Sequence, residues 1–158
     1  MATVDMFLKL DGIDGESQDE KHKNEIDLKS FSMGVENTGA GGNSTENKAR
    51  VHDMRVTMFT NKASPNLFIA CCTGRHIPTA WIYVRKAGEK PLEYETIKLT
   101  DVRVSSFSKT GQNGGEITTE KVSLNFAKIE YSYKQQNKDG SAAAPVTKTY
   151  DVKANKAS

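Results

Sequence analysis

Three times in this chain a run of alternating apolar residues changes phase partway along, and this habit restricts the fold more than any other feature. Ile26 and Leu28 face one way, then Phe31 and Met33 face the other. Ile97 and Leu99 give way to Val102 and Val104, and Leu124 and Phe126 give way to Ile129, Tyr131 and Tyr133. Alternation with period two marks a strand with one buried face. A one-residue slip turns that face to solvent unless the strand bulges or bends there. Long strands that bend in the middle suit a strongly coiled sheet, as in a small barrel.

The remaining segments fill in this outline. Val4, Met6, Leu8 and Leu10 alternate as an opening strand, and the polar residues 16–24 read as a solvated loop. A second strand covers 25–33. Residues 34–50, with Gly39-Ala40-Gly41-Gly42-Asn43-Ser44, read as a long Gly-rich loop, a length that in compact domains often serves function. Further strands are expected at 51–59, 80–85, 93–107, 118–133 and 146–152, with turns at 87–91, 109–116 and 138–141. One helix is signalled. Ser64 stands as its N-cap, Pro65 in the first helical position and Gly74 just past the end. Leu67, Ala70 and Cys71 share the face expected to pack on the sheet. The outcome is one mainly-β domain over 1–158, with seven or eight strands, one helix and a short polar tail at 153–158.

Composition bounds the function. Apolar residues make up 36% of the chain and mean hydropathy is −0.61, so the core is thin and partner subunits are expected to complete it. With 22 basic and 20 acidic residues and no block of one sign, electrostatic binding of nucleic acid or anionic membrane is not expected. No stretch reaches the roughly 20 apolar residues of a membrane helix, so no membrane insertion is expected. The opening residues do not read as a signal peptide. Cys71 and Cys72 are adjacent, which excludes a disulfide framework and reads as two small apolar residues.

No catalytic constellation emerges. His22, His52 and His76 lack metal-ligand spacing, so no metal or cofactor is expected. Ser106-Phe107-Ser108-Lys109 matches S-x-x-K and Lys109-Thr110-Gly111 matches K-T-G. Both motifs share one lysine at a strand end, and one lysine cannot fill both roles. The Gly-rich segment lacks the phosphate-loop pattern. Asp5, Glu25, Asp27, Glu93, Glu95 and Asp101 read as carboxylates on solvated strand faces. Trp81 and Tyr83 read as core or subunit contacts before a stacking platform.

In order along the chain stand Asp5-Met6-Phe7-Leu8-Lys9-Leu10, Gly15-Glu16-Ser17, the stretch from His22 to Gly34 and the helix from Ser64-Pro65 through Gly74-Arg75-His76-Ile77-Pro78. Arg85-Lys86-Ala87-Gly88, Pro91-Leu92-Glu93-Tyr94, Val104-Ser105-Ser106, Leu124-Asn125-Phe126-Ala127-Lys128 and Asp139-Gly140 follow. Each piece is weakly specific, but the ordered set resembles the haemolysin-coregulated protein (Hcp) family, the tube subunit of bacterial type VI secretion. The resemblance implies a small β-barrel of two sheets with one side-packed helix, assembling into a homo-hexameric ring. It implies rings stacked into a tube inside sheath proteins and capped by a spike (VgrG-type) protein. Small effectors would travel in the lumen. Residence is cytoplasmic before firing, then secreted by the type VI route. It implies no enzyme and no cofactor, and although some members carry a fused C-terminal toxin domain, none is expected here because the short polar tail 153–158 follows directly on the last expected strand. The 34–50 loop is the expected protruding element, with Glu46, Lys48 and Arg50 as charged stacking contacts. Met33 departs from the family, which often carries Trp there, and Cys71-Cys72 is not a family pattern. Competing readings are a phage-type tail-tube protein, a monomeric β-sandwich module for sugar or peptide with Trp81 or Tyr83 in a groove, and a hydrolase with convergent carboxylates or Ser/His pairs.

Overall fold

The computed structural model describes residues 3–37, 48–88 and 90–158. The chain enters through β1 (Val4–Leu10) and returns through two short strands, β2 (Ile26–Asp27) and β3 (Ser30–Ser32). A separate pair follows, β4 (Val35–Asn37) with β5 (Ala49–Val51), and then β6 (Met54–Phe59) and helix α1 (Ser64–Thr73). The second half holds β7 (Ile77–Lys86), the 19-residue β8 (Leu92–Thr110), β9 (Thr119–Asn125), β10 (Lys128–Tyr133), β11 (Val146–Asp151) and β12 (Lys156–Ala157). All pairings are antiparallel.

β8 belongs to two sheets. Its first half lies between β7 and β10, in the order β12-β11-β10-β8-β7-β1-β2, and its second half pairs with β9, which carries β6 and β3. The wall comes nearly full circle at residues 28 and 29. There the Leu28 amide donates to Met6 O at 3.0 Å and the Lys29 amide to Thr57 O at 2.8 Å. Yet β2 pairs with β1 and β3 with β6, so the barrel is not closed by one continuous ladder.

The phase slips mark the places where the chain changes sheet. One falls between β2 and β3. A second falls at Asp101, whose φ of 55° puts a left-handed residue in mid-β8. The third breaks the expected strand 118–133 into β9 and β10 at residues 126–127. Each sheet keeps its inward face apolar, so a chain crossing from one to the other must insert or turn a residue. The buried core collects Leu8, Met54, Met58, Leu67, Ile82, Ile97, Leu99 and Leu124 from both sheets and the helix, all 0% exposed. Full burial of such a side chain contributes about 1.5–3 kcal/mol.

The helix starts one residue earlier than expected. Ala63 occupies the N-cap without a side-chain cap, and Ser64 is inside the helix. The Ser64 hydroxyl instead accepts from the Asn61 amide at 2.9 Å and donates to Glu120 at 2.6 Å. Gly74 closes the helix with φ 67° and ψ 32°, the left-handed geometry a side chain resists. Leu67 and Ala70 are buried and Cys71 packs on the core. Two further expectations change. Residues 34–50 are not all loop, since they contain β4 and most of β5, and the tail contributes β12, which pairs with β11.

Candidate assembly surface

Among the described residues β4 and β5 pair only with each other, apart from the main sheet. Their register sets Val35 opposite Val51, Glu36 opposite Arg50 and Asn37 opposite Ala49. The ladder continues at its base, where the His52 amide donates to Gly34 O at 2.9 Å, and Val51 packs against the core. One of its faces is charged. Arg50 and His52 approach the Glu36 carboxylate at 3.9 and 3.8 Å, with the Arg50 side chain 72% exposed. The other face is apolar. Met33, Val35, Ala49 and Val51 line a cleft of about 270 Å³ against Phe126, Ile129 and Tyr150. Met33, the departure from the family pattern, is 38% exposed beside this cleft. Of the expected stacking residues, Arg50 lies on β5 and Lys48 just before it, and Glu46 lies outside the described residues.

A second exposed apolar group lies on β10 and β11. Tyr133 stands directly opposite Val146, and both are open to solvent, as is Tyr131 two residues away. Tyr94 meets the Tyr133 ring edge-on at 6.3 Å. Glu95 accepts from the Tyr131 hydroxyl, which with burial pushes that phenol up to about 12. The helix adds exposed Phe68 and Ile69. Apolar side chains gathered at an edge and beside a separate strand pair are templates for another chain.

The other residues singled out by sequence serve the body. His22 is buried, with Nδ1 3.0 Å from Glu25 and Nε2 against Glu93. Its ring stacks on Phe7 at 4.3 Å and tilts against Tyr83 at 4.9 Å. Glu25 therefore does not lie on a solvated face: its side chain is 11% exposed, and burial pushes its carboxyl above the ordinary value despite His22. Asp5 is also engaged, since Arg85 donates to it at 3.0 Å and to both oxygens of Asp19 at 2.8 and 2.9 Å. The Arg85 guanidinium holds the Asp19 carboxyl down to about 2. His76 pairs with Asp101 at the surface. Lys109 of the S-x-x-K match spans to Glu120 at 3.3 Å. Trp81 and Tyr83 stack with centroids 6.0 Å apart, half-buried, with Lys98 over the indole. Among the described residues no group of three His, Cys, Asp or Glu is placed to hold a metal. No helix among them is long and apolar enough to cross a membrane.

Sequence reading missed Glu120 and Arg85. Glu120 is fully buried, held by Ser64, Thr60 and Lys109. Its signal was parity: positions 120, 122 and 124 share the inward face, and a carboxylate there requires partners.

A two-sheet β body with a side-packed helix, an unattached strand pair and exposed apolar edges is the build of a self-assembling structural subunit. Residues 7–133 match the family described as "Type VI secretion system effector, Hcp". The chain is 40% identical to Protein hcp1 of Pseudomonas aeruginosa over 157 residues, covering 96% of this chain and 97% of that one. Hcp1 from Salmonella typhimurium is similar throughout, with TM-score 0.85 at 39% identity and 100% of each chain covered. A solved type six secretion system protein gives TM-score 0.92 at 28% identity, covering 99% of this chain and 100% of that one. The chain belongs to the Hcp family and is a tube protein of type VI secretion. Proteins of this family are secreted by that system.

Proposed function

We propose that the chain works without catalysis, closing side to side with five copies of itself into an open ring and stacking ring on ring. The stacked tube would fill a contractile sheath, bear a VgrG-type spike at its tip and hold small effectors in its lumen until contraction carries all of them out of the cytoplasm. The observation that carries this reading is the family match, taken with a strand pair that joins no other strand among the described residues. A side-to-side contact between unlike surfaces makes a ring when its rotation closes. Such a ring needs an element that reaches the next one. The sequence of the 34–50 segment carries both signs of charge and its described residues Val35–Asn37 are exposed, so Glu46, Lys48 and Arg50 are taken as the contacts. Exposed pairs contribute only about 0–1 kcal/mol each, so rings form more readily than long stacks.

Native mass by light scattering tests the ring. A mass near six subunits, with an open centre in electron micrographs, supports it, and a monomer at every concentration overturns it. Replacing Glu46, Lys48 and Arg50 together by serine is expected to shorten stacks and leave rings intact. Stacks of unchanged length would remove these residues from the contact.

A further inference from the structure

The outward face of β3, β6, β9 and β8 is a polar trough of about 450 Å³. Register places Ser32, Arg55, Ser123 and Ser106 in one row across the four strands. The adjoining row is Ser30, Thr57, Lys121 and Ser108. The intervening row, Phe31, Val56, Val122 and Phe107, turns inward to the core. The trough floor is therefore six hydroxyls and two cations.

Among the described residues neither cation makes an ion pair. The carboxylate that borders the trough, Asp53, is already engaged, accepting from Ser105 at 2.6 Å and from Asn125 at 3.0 Å. At the far end Lys29 lies over the exposed Phe59 ring at 4.3 Å, adding positive charge. Asp53 keeps its charge at one border, and along the two rows Arg55 and Lys121 stand among hydroxyls with no ion-pair partner among the described residues.

We propose that this trough holds an extended acidic segment of cargo polypeptide, an inference that rests on the carrier reading and names the chemistry the carrier prefers. Arg55 and Lys121 are diagonal neighbours on adjacent strands, about 7–8 Å apart at their bases. Carboxylates on alternate residues of an extended chain repeat at about 6.6 Å, which matches that spacing. Arginine adds a planar fork suited to a carboxylate, and the serine rows supply donors and acceptors for the segment's backbone. A single phosphate fits worse, because the two cations do not converge on one point. Single-stranded nucleic acid fits worse too. It gains affinity from several bases stacked on aromatic faces, and this outward face offers one exposed ring, Phe59, already covered by Lys29 at 4.3 Å.

The test is fluorescence anisotropy on the intact protein in low salt. The probe is a short labelled peptide alternating serine and aspartate, and the comparators are its serine–lysine counterpart and an oligothymidylate. The aspartate peptide is expected to bind best, to be released by added salt, and to bind about fivefold more weakly when Arg55→Ser and Lys121→Ser are combined. Lys138→Ser, in a distant turn, should leave it unchanged. Both trough cations are exposed, so the double variant keeps its core, and native mass checks its assembly. Equal binding by the lysine peptide, unchanged binding by the double variant, or tighter binding of the oligothymidylate overturns the proposal. Cargo absent from secreted tubes despite intact selectivity for aspartate would fail the carrier reading alone. Cargo secreted normally without that selectivity would fail this inference alone.

Discussion

Residues 11–25 and the described ends of the 34–51 segment both connect strands, and the first is held to the body by a denser set of bonds among the described residues. The Gly15 amide donates to Asn24 O at 2.8 Å, Ser17 to Glu25 O at 2.9 Å and Asn24 to Ser17 O at 3.0 Å. At Gly15 an added Cβ would sit 2.5 Å from Glu25 O, so the two sides of this connection approach more closely than a side chain allows. His22 and Arg85 then fix it against Phe7, where the Arg85 guanidinium lies 5.1 Å from the ring. The second connection has ion pairs too, but Glu36 and Arg50 are 54% and 72% exposed and 3.9 Å apart, against 2.8 Å for Arg85, 11% exposed, with Asp19. Burial and a short bidentate fork separate an ion pair that fixes a loop from one that merely accompanies it. One connection is fixed within the subunit, whereas the described strands at the ends of the other are largely exposed.

The sharpest way to break this contrast is Arg85→Met, which keeps the apolar stem and removes the charge. It leaves Asp19 and Asp5 without their cation and is expected to cost about 3 kcal/mol in chemical denaturation. Limited proteolysis should then cut within residues 16–24. A cost no larger than that of Arg50→Met would end the comparison. His22→Leu ranks next, at about 2 kcal/mol, because Glu25 and Glu93 lose the buried imidazole that lies between them. The matched change at the strand pair, His52→Leu, should fall within about 0.5 kcal/mol.

Acid should distinguish the regions more gently. The folded carboxyl of Asp19, held near 2, lies below its ordinary value of 3.8, so the unfolded chain binds more protons between those values. Stability from Asp19 is therefore complete above about pH 4 and lost as pH falls toward 2, by about 1 kcal/mol after solvent screening. Glu25 acts with the opposite sign. Its carboxyl is raised by burial, so stability falls as pH rises from its ordinary value through its folded one. A denaturation series from pH 2 to 4 should show the Asp19 slope in the parent chain and lose it in Arg85→Met.

The contrast also explains what could be read from the sequence. Alternation gave the strands, because a half-buried strand writes its buried face at every second residue. The three phase slips located the corners, since a chain cannot cross between sheets without shifting register. The Gly74 stop was equally plain. Residues 34–51 were opaque for a physical reason: Val35–Asn37 and Ala49–Val51 are three residues each and mostly solvated, so neither writes a period. The clamp on residues 11–25 was opaque because its partners come from far along the chain, with Arg85 66 residues from Asp19 and Glu93 71 from His22. Ser64 misled because a buried acid 56 residues away claims its hydroxyl. As for the surface, Arg50 was expected in a loop and lies on β5, and nothing in the linear order of Arg55 and Lys121 reveals that folding sets them on adjacent strands.

The smallest effect is expected from Glu36→Gln. It removes the negative charge facing both Arg50 and His52 while keeping shape, and exposed pairs at 3.9 and 3.8 Å predict a change within about 0.5 kcal/mol, smaller still in high salt. Amide exchange sharpens the result. The Gly15, Ser17 and Asn24 amides should be protected well beyond those of Asn37 and Ala49, in the parent and in Glu36→Gln alike, since local opening follows buried contacts and not the count of charges. These measurements belong on dissociated subunits, where no neighbouring copy covers the pair. If Glu36→Gln unfolded the chain as readily as Arg85→Met, the pair would be part of the subunit's own stability, and its availability to a second ring would have to be abandoned.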